Sequence, residues 1–125
     1  MKGIIVKKID PVHRDDRGII VDLLNESIEH VGIITSKKGA VRGNHYHKTS
    51  KQYTYIFSGS FEVLLRPFDN LEQKETLILK TGDLIEITPG IVHTFTAIED
   101  STLIEMDTLS RALEGYEKDV VRLSN

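Results

Sequence analysis

The chain contains no cysteine. That excludes disulfides, thiolate metal ligands and cysteine nucleophiles, leaves oxygen and imidazole chemistry for any site, and is compatible with a reducing compartment. Long hydrophobic runs are missing as well. The N-terminus, MKGIIVKKID, places Ile4, Ile5 and Val6 between lysines, far short of a signal-peptide core, and no stretch approaches the length of a membrane-spanning helix. The expected location is therefore cytoplasmic, with no membrane partner. Charge of one sign is scarce: 16 basic against 19 acidic residues give a formal net charge of −3. The basic residues are scattered, which argues against nucleic-acid binding. An anionic ligand would have to be held locally, by individual arginines.

What is present is an ordinary globular composition, 39% apolar and 28% charged over 125 residues, enough for one core and one domain spanning 1–125. Short apolar or alternating runs recur at close spacing: Ile4 to Ile9, Gly18 to Leu24, Val31 to Thr35, Tyr53 to Phe57, Phe61 to Leu65, Glu75 to Leu79, Leu84 to Ile87, Val92 to Ile98 and Leu103 to Met106. Turn chemistry separates them, as in Asp15-Asp16-Arg17-Gly18, Ser58-Gly59-Ser60 and Thr81-Gly82-Asp83. Many short strands with such punctuation indicate an all-β sandwich or closed barrel. Period-two alternation puts Phe61, Val63 and Leu65 on one buried face. A helix is expected only around Leu109 to Tyr116, capped by Ser110 and stopped by Gly115.

Within GAVRGNHYHKTSKQYTYIFSG, from Gly39 to Gly59, His45 and His47 are separated by one residue. On a strand they share a face with Cα atoms roughly 6.5 Å apart, so their imidazoles can converge on one atom. His93, in ITPGIVHTF, follows a Pro-Gly turn and can complete the cluster from an opposing strand. His13 and His30, by contrast, read as surface or internally satisfied residues.

This pattern resembles the cupin superfamily. Gly39, His45, His47 and Gly59 fit its first motif, with Gln52 at the position of its glutamate; Gly82, Gly90 and His93 fit the second, with Thr88 at its proline position and Pro89 one place later. The resemblance implies a conical jelly-roll β-barrel. The string RGNHYHKTSKQ, from Arg42 to Gln52, is similar to the nucleotide-sugar 3,4-ketoisomerases and to the cupin domain of capsule-sugar epimerases. Asp16-Arg17-Gly18 is similar to a segment of the dTDP-4-dehydrorhamnose 3,5-epimerases. All of these act on keto-sugars joined to a nucleotide diphosphate.

The implied chemistry is proton transfer next to a carbonyl, through an enediol. The C3 proton of a 4-keto-6-deoxy sugar is acidified by the C4 carbonyl, and histidine is the side chain whose basicity suits its removal. His45 and His47 are the catalytic candidates. Return of the proton at C4 isomerises the sugar; return to the opposite face of C3 inverts that centre. Arg17 and Arg42 are candidates for the diphosphate, because a guanidinium fork pairs phosphate oxygens and keeps its charge. Tyr46, Gln52 and His93 complete the candidate substrate contacts.

The alternative is a metal-binding cupin, dioxygenase-like or a sugar-binding module without turnover, in which His45, His47, His93 and Gln52 hold Fe, Mn, Ni or Zn. A neutral glutamine balances a dication poorly, so no cofactor is the first expectation. A homodimer is also expected, with Ile4 to Val6 either pairing across subunits or forming an edge strand of its own barrel.

Overall fold

The computed structural model describes residues 1–123. Twelve strands dominate it: β1 (Ile4–Lys8), β2 (His13–Asp15), β3 (Gly18–Ile20), β4 (His30–Ser36), β5 (Val41–His47), β6 (Gln52–Ser58), β7 (Ser60–Pro67), β8 (Glu75–Lys80), β9 (Asp83–Ile87), β10 (Ile91–Ala97), β11 (Ser101–Asp107) and β12 (Val120–Arg122). Two five-stranded antiparallel sheets, in the orders β1-β9-β6-β11-β4 and β12-β5-β10-β7-β8, face one another as a jelly roll. The hairpin β2-β3 stands apart as a sheet of its own.

The alternation expected from the sequence sets the core. Phe61, Val63 and Leu65 are completely buried on β7, and Ile56, Ile85, Ile87, Phe95 and Leu103 meet them from the other strands. Each such side chain contributes roughly 1.5–3 kcal/mol by leaving water. A second cluster lies on the outer face of the first sheet, where Leu23, Leu24 and Ile28 pack over Tyr53, Leu84 and Met106. The run expected as a strand from Gly18 to Leu24 thus ends at Ile20, because its later apolar residues cover a sheet instead of joining one. The Ile4 to Val6 run is an edge strand of its own sheet, paired with β9.

The C-terminal helix is shorter and later than expected. A 3₁₀ turn, Ala112–Glu114, leads into helix α1, Gly115–Asp119. Ser110 Oγ does accept the Ala112 N–H, at 3.0 Å. Gly115, however, begins α1 with right-handed helical dihedrals instead of ending a helix, and glycine is needed there because a Cβ would lie 2.2 Å from the Ser110 carbonyl oxygen. The helix returns the chain to β12, which pairs with β5 and brings Asp119 behind the histidines. No helix among the described residues is long and apolar enough to cross a membrane.

Candidate active site

The three histidines of the two motifs meet between the sheets. His45 and His47 come from β5 and His93 from β10, where His93 is the cross-strand partner of His45. Ring centroids lie 4.7 Å apart for His45 and His93, 5.3 Å for His45 and His47, and 5.6 Å for His47 and His93. One nitrogen from each ring lies within 4.8 Å of the others.

Two of these rings are fixed from behind. The Asp119 Oδ1 accepts the Thr49 and Ser50 N–H groups and the Thr49 hydroxyl. Burial alone would raise the pKa of Asp119, but these donors and His47 outweigh it and hold the group below its ordinary range. An ionised carboxylate only accepts, so the 3.0 Å contact from His47 Nδ1 to Asp119 Oδ2 carries its proton on the histidine. His93 Nδ1 likewise donates to the Ile91 carbonyl oxygen at 3.0 Å, leaving Nε2 buried without a partner. Burial, and then the neighbouring His45, push His93 down to about 3, and burial with His47 beside it pushes His45 down to about 4. Both are neutral at pH 7, with lone pairs available.

Gln52 closes the cluster. Its amide nitrogen donates to Thr54 Oγ1 at 2.9 Å, and its Oε1 faces His47 Nε2 at 3.2 Å. Both of the latter atoms are acceptors when the ring is neutral. A proton or a metal cation therefore belongs between them, unless the amide is turned end for end.

A backbone irregularity decides what else reaches this space. Simple alternation would put Arg42 on the opposite face from His45. The β5–β10 register slips between His93 and Thr94, and Gly43 and Asn44 take φ values of 92° and 62°. This bulge reverses the parity and turns Arg42 to the same side as His45. Arg42 then spans the mouth, donating to Ser36 Oγ and the Thr35 carbonyl, each at 2.9 Å.

His45, His93, Gln52 and Arg42 line a cavity of about 210 Å³, with Glu105, Arg111 and Tyr116 on the remaining wall. Arg42 also lines an open outer groove of about 780 Å³, walled by Thr35, Ser36, Lys37, Ser101 and Thr102. The inner space is small beside ordinary ligand pockets of roughly 300–1,000 Å³. It has room for a group about the size of one six-membered ring, and the wider groove lies beyond Arg42.

Two candidates from the sequence are not brought there within the chain. Arg17 lies on the separate β2-β3 hairpin, largely exposed and paired with Asp15. Tyr46, between the two histidines on β5, faces outward by strand alternation and stacks on Phe68 at 5.0 Å. His13 is exposed on the same hairpin as Arg17, bonded to Asp15.

The sequence reading missed the far wall. Glu105 and Asp107 project inward from β11, flanked by the buried Leu103. Arg111 Nη2 donates to Glu105 Oε2 and, at 3.3 Å, to Asp107 Oδ2. Its guanidinium lies 4.1 Å from the centre of the Tyr116 ring. His30 Nδ1 meets the same Asp107 oxygen at 2.9 Å. Burial, and then the adjacent Asp107, raise Glu105 to about 7. The alternation of Leu103 and Glu105 along the expected Leu103 to Met106 strand, continued one residue to Asp107, is the available signal, since it puts two carboxyls on a core-facing side.

Comparison with known proteins agrees with this fold. A dTDP-4-dehydrorhamnose 3,5-epimerase from Sulfolobus tokodaii superposes with a TM-score of 0.80 at 22% identity, covering 99% of this chain and 78% of that one. The 3,4-ketoisomerase QdtA from Thermoanaerobacterium thermosaccharolyticum, in complex with TDP-4-keto-6-deoxyglucose, gives 0.79 at 20% identity, covering 98% and 89%. These likenesses establish the cupin fold of such sugar epimerases and ketoisomerases. The pectin degradation protein KdgF of Dickeya dadantii is 33% identical over 73 residues, 58% of this chain and 59% of that protein, so the match spans less than two thirds of the relative. The family model for the polysaccharide biosynthesis C-terminal domain matches residues 13–120. With most of its length so matched and its two sheets closed around a histidine cluster, the chain belongs to the polysaccharide biosynthesis C-terminal domain family.

Proposed function

We propose that this protein is a sugar isomerase or epimerase that moves a proton next to the carbonyl of a 4-keto-6-deoxy sugar carried on a nucleotide diphosphate. The observation that carries this reading is a neutral imidazole, His45, on the wall of a ring-sized cavity whose mouth is crossed by Arg42. His45 takes the C3 proton. His47, fixed by Asp119, and His93, fixed by the Ile91 carbonyl, pack edge-on against His45, which burial and then His47 keep neutral before substrate arrives. A bound diphosphate brings negative charge, which raises the basicity of His45 toward neutrality as the proton is needed. Arg42, facing both cavity and groove, pairs with the diphosphate and leaves the nucleotide in the groove.

A second reading is favoured by the buried, partnerless His93 Nε2 and by the facing acceptors of His47 and Gln52. His45, His47, His93 and Gln52 fit a divalent cation of the imidazole-preferring kind, Fe, Mn, Ni or Zn, with Asp119 and the Ile91 carbonyl orienting two of the rings from behind. Such an ion would supply polarisation of a substrate oxygen. A metal-bound histidine has no lone pair left for a proton, so the two readings assign His45 different work.

Incubation with TDP-4-keto-6-deoxyglucose in deuterated water separates them. Deuterium at C3 with wild-type protein, lost in His45→Ala and in His47→Ala, supports the first reading. Exchange at wild-type rate in both variants removes these residues from the mechanism. One equivalent of metal in protein purified without chelator supports the second.

A further inference from the structure

The wall opposite the histidines holds a carboxyl pair that neither reading uses. Glu105 and Asp107 lie two residues apart on one face of β11, and both are at least nine-tenths buried. Glu105 lines the cavity; Asp107 sits deeper, and its Oδ1 is buried with no donor among groups in their usual protonation. Two adjacent buried carboxylates would repel each other, and one guanidinium, Arg111, serves both. A single proton held on Glu105 removes the repulsion and leaves a neutral carboxyl on the cavity wall.

From this arrangement we infer that Glu105 is a catalytic residue, the group that gives a proton to the substrate carbonyl oxygen and takes it back. This deepens the keto-sugar reading and rests on it. As the C3–H bond breaks and its proton passes to His45, the electron pair forms the C3=C4 bond. The C4 carbonyl oxygen then accepts the Glu105 proton and becomes a hydroxyl. The resulting Glu105 carboxylate is met by Arg111, already in contact. In isomerisation the C3 hydroxyl next loses its proton to Glu105 while C4 receives one from His45, and the carbonyl ends at C3. In epimerisation the C4 hydroxyl returns its proton to Glu105 as C3 takes a proton from a solvent water on the other face, and His45 releases the proton it removed to solvent. Either way atoms and charge balance without an oxidant or reductant.

The alternatives on that wall serve less well. Arg42 and Arg111 do not lose their protons under any working condition. Burial raises Tyr116 above the ordinary phenol range, which makes it a poorer donor than Glu105, held at about 7 by burial and by Asp107. The charged and titratable groups facing Glu105 are Asp107 on its own strand, Arg111 beyond it, His47 on β5 and Tyr116 on α1; His30 on β4 acts on it through Asp107.

The test compares wild type, Glu105→Gln and Asp107→Asn with TDP-4-keto-6-deoxyglucose in deuterated water. Glu105→Gln is expected to slow C3 exchange about 100-fold or more with KM unchanged, and to remove from the pH–rate profile a limb near pH 7. Asp107→Asn, a change to a positioning residue, is expected to keep that limb and move it. Exchange by Glu105→Gln within threefold of wild type, with wild type active, overturns the role of Glu105 alone. No exchange by wild type overturns the keto-sugar reading and this inference with it. Should Glu105→Gln fail to melt cooperatively, carboxyl ¹³C NMR of glutamate-labelled wild type decides. A resonance that titrates near neutrality and shifts on adding the sugar nucleotide supports the assignment; full ionisation of every glutamate by pH 5 overturns it.

Discussion

His47 Nδ1 and Asp119 Oδ2 lie 3.0 Å apart although 72 positions separate the two residues along the chain. The contact exists because β12 returns from the C-terminal helix to pair with β5, bringing Asp119 against the turn after His47. The same carboxylate gathers three donors from Thr49 and Ser50. Asp119→Ala leaves the buried His47 and Ser50 without their acceptor and removes that of the exposed Thr49. The expected cost is about 3 kcal/mol, read from urea unfolding at pH 7; a loss below about 0.5 kcal/mol would show that water replaces the carboxylate.

Gly43 is a position in β5 where the backbone leaves no room for a side chain. Its φ of 92° disfavours any side chain, and a Cβ there would stand 2.6 Å from the His93 backbone oxygen. Gly43→Ala is expected to lower stability by about 2–3 kcal/mol and to displace Arg42 from the mouth. Weaker binding of TDP by calorimetry, in protein that remains folded, is the second readout.

Acid stability depends on four groups here, with opposed signs. His45 and His93 take up protons near 6.5 when unfolded but only at about 4 and about 3 when folded, so they remove stability as pH falls below about 6.5. Glu105 keeps its proton up to about 7 when folded and releases it near 4.5 when unfolded; it adds stability as pH falls through that window. Asp119, held below its ordinary range, adds a loss only below about pH 4. Between pH 7 and pH 4 stability is expected to fall more steeply in Glu105→Gln than in wild type, because the substitution removes the one of these groups that opposes the loss. Denaturant titrations across that range check this; equal slopes for the two proteins contradict the assignment for Glu105.

If the histidine cluster holds a cation, Gln52→Glu adds a formal charge to the ligand set. Affinity for zinc or nickel is then expected to rise about tenfold or more, about 1.4 kcal/mol, and His93→Ala to abolish stoichiometric binding. Competitive titration against a chromogenic chelator measures both. Indifference of zinc affinity to both substitutions rules these residues out as a metal site.

Apolar side chains stand exposed on the outer surface at Val31 and Ile33 of β4, an edge strand, and at Ile19 and Ile20 of the separate hairpin. A homodimer is the expected state, since pairing protects open edges. Sedimentation at micromolar concentration should give twice the 14.1 kDa chain mass; a 14.1 kDa species alone contradicts it.

The all-β class, the core alternation on β7 and the meeting of His45, His47 and His93 were legible in the amino-acid order. The class, the alternation and the shared face of His45 and His47 follow from local rules: residues two apart share a strand face, and glycine-bearing turns mark where strands reverse; His93 joined them through the cupin resemblance, since the pairing of β5 with β10 is long-range. Placement of Arg42 beside His45 was not legible, because parity along β5 says the opposite and only the bulge at Gly43 and Asn44 reverses it. Nor was the far wall of the cavity. Glu105, Asp107, Arg111 and Asp119 acquire their chemistry from long-range packing, which strips water from carboxyls that look ordinary in sequence and sets them against partners many residues away. Strand periodicity is a property of neighbouring residues; the protonation and partnering of a buried group depend on everything that surrounds it.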